Sequence, residues 1–525
     1  MHLNLSGRSE RLQRIALLTL LAIAYLGGSS ALAQPIAFGE PAVSPSDGLS
    51  FPMDWEDFDG DGQMDVAVLA DGVIKLCLND GVGGLTQSAE FPYYGEPPYT
   101  GPPKRIVAAD LDHDGHVDLS WLDYEQQLGS VVTTWYNSGD GINGTIVQLD
   151  RRGGYLGDFA LVDISGDGLL DMVVTSHAQS INSYVNQGNR TFEYQSLVSI
   201  PHVGSIRRIQ VEDVDGDEDL DIALIVQDLF IDMQGYYRVR DTLAVLLNNV
   251  GDTQFQLSAV TRLPWQDDDI LASDLVTGDL DGDGDLDLLV TGWQEQQRSP
   301  NVMCLLENRR GETLRIAATY LIGEGGHCRA VMGDFNTNGR LDIAFADESA
   351  VDDSIDVFAN EGRWEFTQLD PLPSAVGGGG VLSADLSGDG QLDLVRSGTE
   401  GLAILNNTTV LVGPGYEHTA LMRGQEAEFS VTGAQPGDRV NFLFGIGRAG
   451  FSRGYRLIGG ITLNLVEPFS QFGAAVADQE GRAAVRMLIP VNAPLRSITT
   501  QAVIRRGPGG ADSVKTPFRT ARITE

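Results

Sequence analysis

Five aspartates fall at alternate positions, Asp279, Asp281, Asp283, Asp285 and Asp287, around Gly284, and the chain then enters the apolar run Leu288, Leu289, Val290. Carboxylates this dense repel one another at neutral pH, so the stretch needs a cation or open solvent. A hard, oxygen-seeking divalent ion of calcium's size suits it best, because such an ion accepts about six to eight oxygens in a flexible geometry.

The elements that must position these carboxylates repeat along the chain. The acidic stretch starts at Asp57, Asp110, Asp163, Asp213, Asp279, Asp334 and Asp385, with spacings of 53, 53, 50, 66, 55 and 51 residues. Such a period marks a radial or solenoidal array. In each unit a short apolar run such as Ile106 to Ala109 precedes the acidic turn, and a strand such as Asp65 to Leu69 follows it. A third strand ends on Asn, as at Asn248, Asn360 and Asn407, and a fourth opens on an aromatic, as at Phe192 and Phe255. Four short strands separated by Gly, Asn and Asp turns fit one antiparallel sheet. Seven such units predict an all-β chain: a seven-bladed β-propeller over residues 34–410, followed by a small β-sandwich domain over 411–525. The seventh unit stops at Asn407, and Pro35 to Phe38 reads as the lone fourth strand that completes it and closes the ring.

The D-x-D-x-D-G-x-x-D turn followed by apolar strand residues resembles the FG-GAP/VCBS repeat, found in integrin α-subunit propellers and in many secreted bacterial proteins. The likeness covers about residues 35–410. It implies calcium in the turns, up to seven ions with one per blade, and a ligand surface on the opposite face of the propeller. It also implies the ligand set: side chains at turn positions 1, 3, 5 and 9, with the carbonyl at position 7. Elementary geometry agrees, because alternate residues of a tight turn point the same way and a glycine at position 6 permits positive φ.

Carried over residue by residue, four turns hold full carboxylate sets: Asp57, Asp59, Asp61 and Asp65 with the Gln63 carbonyl; Asp110, Asp112, Asp114 and Asp118 with His116; Asp213, Asp215, Asp217 and Asp221 with Asp219; and Asp279, Asp281, Asp283 and Asp287 with Asp285. The third turn has Asp163, Ser165, Asp167 and Asp171 with Leu169, and the seventh has Asp385, Ser387, Asp389 and Asp393 with Gln391, each one carboxylate short. The sixth has Asp334, Asn336, Asn338 and Asp342 with Arg340, and with two carboxylates it should bind most weakly. In the fourth turn Glu218 stands where glycine is expected.

EF-hands need an acid at position 12 and flanking helices. Position 12 here reads Val68, Trp121, Val174, Leu224, Val290, Phe345 and Arg396, which excludes them. Metal-free, solvated acidic turns are the other alternative, strongest for the sixth turn.

The net charge of -38, from 73 acidic and 35 basic residues, argues against nucleic acid as a partner, and 42% apolar content argues for a folded protein. Arg8, Arg11 and Arg14, the run Ile15 to Tyr25, and Ala31-Leu32-Ala33 read as a signal peptide over residues 1–33 that exposes Gln34. The mature chain is then expected to be secreted or at the cell surface, extracellular or periplasmic, with no transmembrane anchor. Export permits disulfides, and Cys304 with Cys328 forms a bridge or stays as buried thiols, with Cys77 left over.

Three loops on the far face carry aromatics: Phe91 to Pro103, Phe230 to Arg240, and Trp265 to Asp269. They are either recognition loops, stacking on sugars or meeting a protein, or packing between units. Gly445 to Gly450 imitates a dinucleotide loop and Ser452 a nucleophile elbow, but no helix opening follows the first and no His follows the second. His113 and His116 occupy non-ligand side-chain positions in the second turn. No catalytic residue emerges, and calcium would hold the aspartates ionised, the wrong state for a proton donor. The reading is a calcium-stabilised binding or adhesion module for an extracellular protein or glycan. The alternatives are a polysaccharide lyase or hydrolase with its site in the channel, and an architectural surface protein.

Overall fold

The computed structural model describes residues 35–524, apart from 46–48, 71–72, 82–83, 93–104, 126–128, 150–155, 177–179, 200–204, 218, 232–236, 249–254, 265–269, 295–299, 310–312, 325–327, 348–353, 411–413, 448–460, 466–468 and 507–512. The described residues are strand and turn, with no helix.

Each sequence unit forms one antiparallel sheet in up-and-down order. The first comprises Leu49–Glu56, Asp65–Ala70, Val73–Asn79 and Leu85–Pro92. The acidic turn joins the first strand to the second in every unit. Its register is constant: the residue before position 1 pairs with position 9, as in Glu56 with Asp65, Ala109 with Asp118, Gly278 with Asp287 and Ala384 with Asp393. Second strands such as Asp65–Ala70 and Asp171–Ser176 are buried along their whole length. Their unbroken apolar runs, rather than an alternation, follow from burial on both faces.

The core lies between neighbouring sheets. Ala67 and Leu76 of the first unit pack with Leu119, Trp121 and Trp135 of the second. Ala223 and Val245 of the fourth pack with Leu288 and Cys304 of the fifth. Met53 and Val66 of the first share a cluster with Ala344 of the sixth and Val395 of the seventh. The first strands accordingly pack side by side in a cycle: Leu49–Glu56, Ile106–Ala109, Leu156–Val162, Ser205–Glu212, Ile270–Gly278, Cys328–Gly333, Val381–Ala384, and back to Leu49–Glu56. The arrangement is propeller-like.

The last sheet of the cycle takes its fourth strand from the N-terminal side, but not from Pro35 to Phe38 as the sequence suggested. The strand is Ala42–Pro45, paired with Gly401–Leu405, while Phe38 makes only a bridge to Asn407. The Gly39 N–H still donates to Asn406 O at 2.8 Å, so pairing begins early and is interrupted at Pro41, which has no N–H to give.

Beyond residue 413, Gly415–His418, Glu426–Thr432 and Ala483–Leu488 form one sheet, and Ser470–Val476, Arg439–Ile446, Ser497–Arg505 and Val514–Arg522 form another. Tyr416 and Phe429 of the first share a core with Phe442 and Ala502 of the second. The nucleophile-elbow mimic at Ser452 lies outside the described residues, as does Glu218. Cys77, Cys304 and Cys328 are buried and form no disulfide. The Cys304–Cys328 bridge does not form. Asn301 Nδ2 instead donates to the Cys328 sulfur at 2.7 Å, and burial lifts the Cys304 thiol to about 12. No helix among the described residues is long and apolar enough to cross a membrane.

Candidate metal centres

Every acidic turn is folded by its own carboxylates. The position 1 Asp accepts the N–H of position 6: Gly62 donates to Asp57 at 3.2 Å, Gly115 to Asp110 at 3.1 Å, Gly168 to Asp163 at 2.7 Å and Gly284 to Asp279 at 2.9 Å. Where positions 3 and 5 are Asp or Asn, each accepts the N–H two residues on, as in Asp61 onto Asp59 and Gln63 onto Asp61, which is the Asx-turn geometry these residues favour. Position 4 is left-handed in every copy, with φ of 77 at Gly60, 62 at His113, 79 at Gly282 and 54 at Thr337. Position 6 is left-handed too in the six turns where it is described, at Gly62, Gly115, Gly168, Gly284, Gly339 and Gly390, as the sequence implied.

Position 9 ties the turn to the rest of its sheet. Asp65 Oδ2 accepts from Phe58 N at 2.9 Å and its Oδ1 from Asn79 N at 2.8 Å. The same pair recurs at Asp118, Asp221, Asp287, Asp342 and Asp393. The Asn that closes the third strand then reaches across to the previous unit. Asn137 Nδ2 donates to Phe58 O at 2.7 Å, Asn186 to Leu111 O at 2.7 Å, Asn308 to Val214 O at 2.8 Å, Asn360 to Leu280 O at 2.8 Å and Asn407 to Phe335 O at 2.8 Å. The terminal Asn was visible in the sequence as a turn residue; its bond to a neighbouring sheet was not.

Ligand oxygens converge in four turns. Asp57, Asp59 and Asp61 bring one oxygen each within 4.8 Å of one another, and so do Asp110, Asp112 and Asp118; Asp213, Asp215 and Asp221; and Asp279, Asp281 and Asp287. The seventh turn has no such triad among the described residues but carries another sign. Asp385 Oδ1, Ser387 Oγ and Gln391 Oε1 are buried without a hydrogen-bond partner, as are Asp57 Oδ1 and Asp110 Oδ1 in the first two turns. A buried carboxylate oxygen left unpartnered is costly, and a bound cation removes the cost. An all-oxygen, carboxylate-rich donor set fits calcium. When bound, the ion supplies charge neutralisation and cross-links the turn.

The electrostatics point the same way. Burial pushes Asp57 up to about 6 against the opposing pull of Arg522, Asp65 and Asp118 to about 8, Asp221 to about 7, and Asp287 to about 9. Burial, reinforced by Asp393 and Asp389, lifts Asp385 to about 8. These sites disfavour their own ionised form, which is what a cation reverses.

Protein cations reach some turns. Arg190 Nε lies 2.7 Å from Asp112, with its guanidinium over the Tyr136 ring. Arg522 lies 3.8 Å from Asp57, and Lys515 lies 2.6 Å from Asp334. Both of the latter come from the C-terminal residues, which nothing in their local sequence suggested.

The far-face loops are only partly described. Phe91 is buried, its ring 4.7 Å from that of Trp135, so it packs between units. Residues 93–104, 232–236 and 265–269, with the remaining aromatics from Tyr93 to Pro103 and Trp265, lie outside the described residues. The long spacing after Asp213 is a lengthened hairpin, Asp221–Ile231 paired with Tyr237–Asn248. Because it joins second to third strand, its described pairs run away from the acidic turns, as far as Ile231 with Tyr237. Among the first strands, Arg105 donates to Phe159 O and Ile209 O, and Arg208 and Arg329 lie 3.6 and 3.4 Å from Asp274.

No curated protein matches the chain. One solved structure, described as the structural basis of specific recognition of non-reducing terminal N-acetylglucosamine by an Agrocybe aegerita lectin, is 16% identical, with a TM-score of 0.45 over 73% of this chain and 99% of that one. At that TM-score nothing about ligand transfers to the present chain. The FG-GAP-like repeat matches residues 57–121, 163–224 and 334–395, each match opening on the position 1 Asp of an acidic turn. The chain thus carries three FG-GAP-like repeats.

Proposed function

We propose that this is an exported, calcium-stabilised binding module: a seven-bladed β-propeller closed by its N-terminal strand and followed by a β-sandwich. Its ligand is an extracellular protein or polysaccharide. The observation that carries the reading is the repeated turn, in which converging carboxylates and unpartnered buried oxygens call for a hard divalent cation. Those ions are structural, since the aspartates they hold also fasten the strands and the neighbouring sheet. Binding free energy then becomes folding free energy.

Recognition falls to the face opposite the turns, where the lengthened hairpin of the fourth unit projects. A glycan array and an extracellular-protein panel, each probed with and without calcium, test this. The expected result is calcium-dependent binding without turnover of any bound saccharide. Turnover would favour the second reading, a polysaccharide lyase or hydrolase in the channel. Arg105, Arg208 and Arg329 bear on that alternative, and they are committed to Asp274 or to backbone carbonyls. That commitment favours binding over catalysis.

A further inference from the structure

The sixth turn differs from the rest in charge and in what covers it. Asp334 and Asp342 are its only carboxylates among the ligand positions, with Asn336 and Asn338 between them. Lys515, on the strand Val514–Arg522, places its ammonium 2.6 Å from Asp334 Oδ2, and both side chains are 1% exposed. The same ammonium donates to Thr462 O at 2.9 Å. Thr462 in turn donates its N–H to Gly339 O at 3.0 Å, and Gly339 donates to Asp334 Oδ2 at 2.7 Å. Two C-terminal segments therefore close over one turn. The fit is tight, for a Cβ added at Gly339 would lie 2.8 Å from Ile461 Cγ2.

A buried ammonium persists only where it is paired and hydrogen-bonded, and this one is both. It stands where a metal would draw on Asp334. Two cations cannot share that carboxylate in a water-poor site without strong repulsion, and Asn336 and Asn338 bring no further charge to offset it. The neighbouring turns continue the pattern. Pro517 and Phe518 lie against Gly390 of the seventh turn, and Arg522 donates to Gly115 O of the second at 3.1 Å while facing Asp57 of the first. One strand thus spans the sixth, seventh, first and second turns. Only at the sixth does its cation lie within direct hydrogen-bonding distance of the position 1 carboxylate.

The geometry points to Lys515 as the resident cation of the sixth turn: this turn is not a calcium site but a socket through which the C-terminal domain docks on the acidic-turn face. The inference rests on the reading of the other turns as calcium sites, and its test separates the two. The chain has three lysines, Lys75, Lys104 and Lys515, so acylation followed by mass spectrometry reads Lys515 cleanly in the full-length protein. Lys515 should label about tenfold or more slowly than in the denatured chain, at saturating calcium as well as without it. Labelling that appears on adding calcium means the ion has expelled the lysine, and overturns the inference. Calcium counted per chain by atomic emission gives the second measurement. Asp334→Asn should bind as many ions as the wild type, whereas Asp279→Asn in the fifth turn should lose one. Loss of one ion from Asp334→Asn overturns the inference, and if that variant fails to fold, the labelling of the wild type decides. A wild type that takes up no calcium but keeps Lys515 protected contradicts the calcium reading of the other turns and leaves the socket supported.

Discussion

Asn79 Nδ2 donates to the carbonyl of Leu386 at 2.9 Å, joining the first acidic turn to the seventh across 307 positions. It is the same bond that Asn137, Asn186, Asn308, Asn360 and Asn407 make between consecutive units. Here it runs from the start of the array to its end. Among the described residues the bond is present at six of the seven junctions between neighbouring units, all but that between the third and the fourth, and the position 9 aspartates hold the backbone of each Asn that makes it.

The bond from the first unit to the seventh makes Asn79 a test of closure. Its side chain also donates to Met64 O at 3.1 Å and accepts from Gly81 N at 3.1 Å. Asn79→Ala leaves three buried or half-buried groups unpaired, each worth about 1 kcal/mol or more. We expect denaturant unfolding to show a loss of about 3 kcal/mol. A change within about 0.5 kcal/mol, the range of an ordinary surface substitution, would contradict a closing role for Asn79.

Position 4 of the turns offers a backbone test. Gly166 has φ of +74, and nothing lies within 4 Å of where its Cβ would be, so Gly166→Ala isolates the cost of a left-handed residue. That cost is about 1–2 kcal/mol. The reverse change, Thr337→Gly at φ 54, should stabilise by about 0.5 kcal/mol, the relieved strain exceeding the added freedom of the unfolded chain. Thermal melts of the two variants should move in opposite directions.

The raised carboxylates set a pH dependence whose sign differs from that of salt-bridged aspartates. Asp65, Asp118 and Asp385 sit near 8 and Asp287 near 9 in the metal-free fold, against an ordinary 3.8. The folded form therefore holds more protons than the unfolded one. Stability from these groups is complete below about 3.8 and is lost as pH rises through about 8–9. In chelator the melting temperature should fall from pH 5 to about 9, and added calcium should recover more at the upper end while releasing protons. A calcium effect that shrinks as pH rises would contradict this.

Much of the site was legible because its information is local. The Asp ladder and its period state ligand type, turn geometry and repeat number within nine-residue windows. Non-local facts were hidden. Val514 and Thr516 flank Lys515 without any sign that it meets Asp334, since that contact depends on how the C-terminal sheets sit on the turns. Pro35 to Phe38 looked like the closing strand because it is apolar. The strand proper is Ala42–Pro45, because Pro41 interrupts a ladder that starts at Ala37, whose carbonyl accepts from Thr408 N at 2.8 Å. His113 read only as a non-ligand position of the second turn, and its φ of 62 shows it to be the left-handed residue that glycine supplies in most other copies.

Whether the acidic turns hold structural calcium is read from thermal unfolding of the full chain in calcium and in chelator. Each ion bound at a hundredfold excess over its Kd adds roughly 2.7 kcal/mol. With several turns filled, the melting temperature should drop markedly in chelator and return on adding back calcium. A melting curve that is the same in calcium and in chelator would contradict structural calcium in the turns.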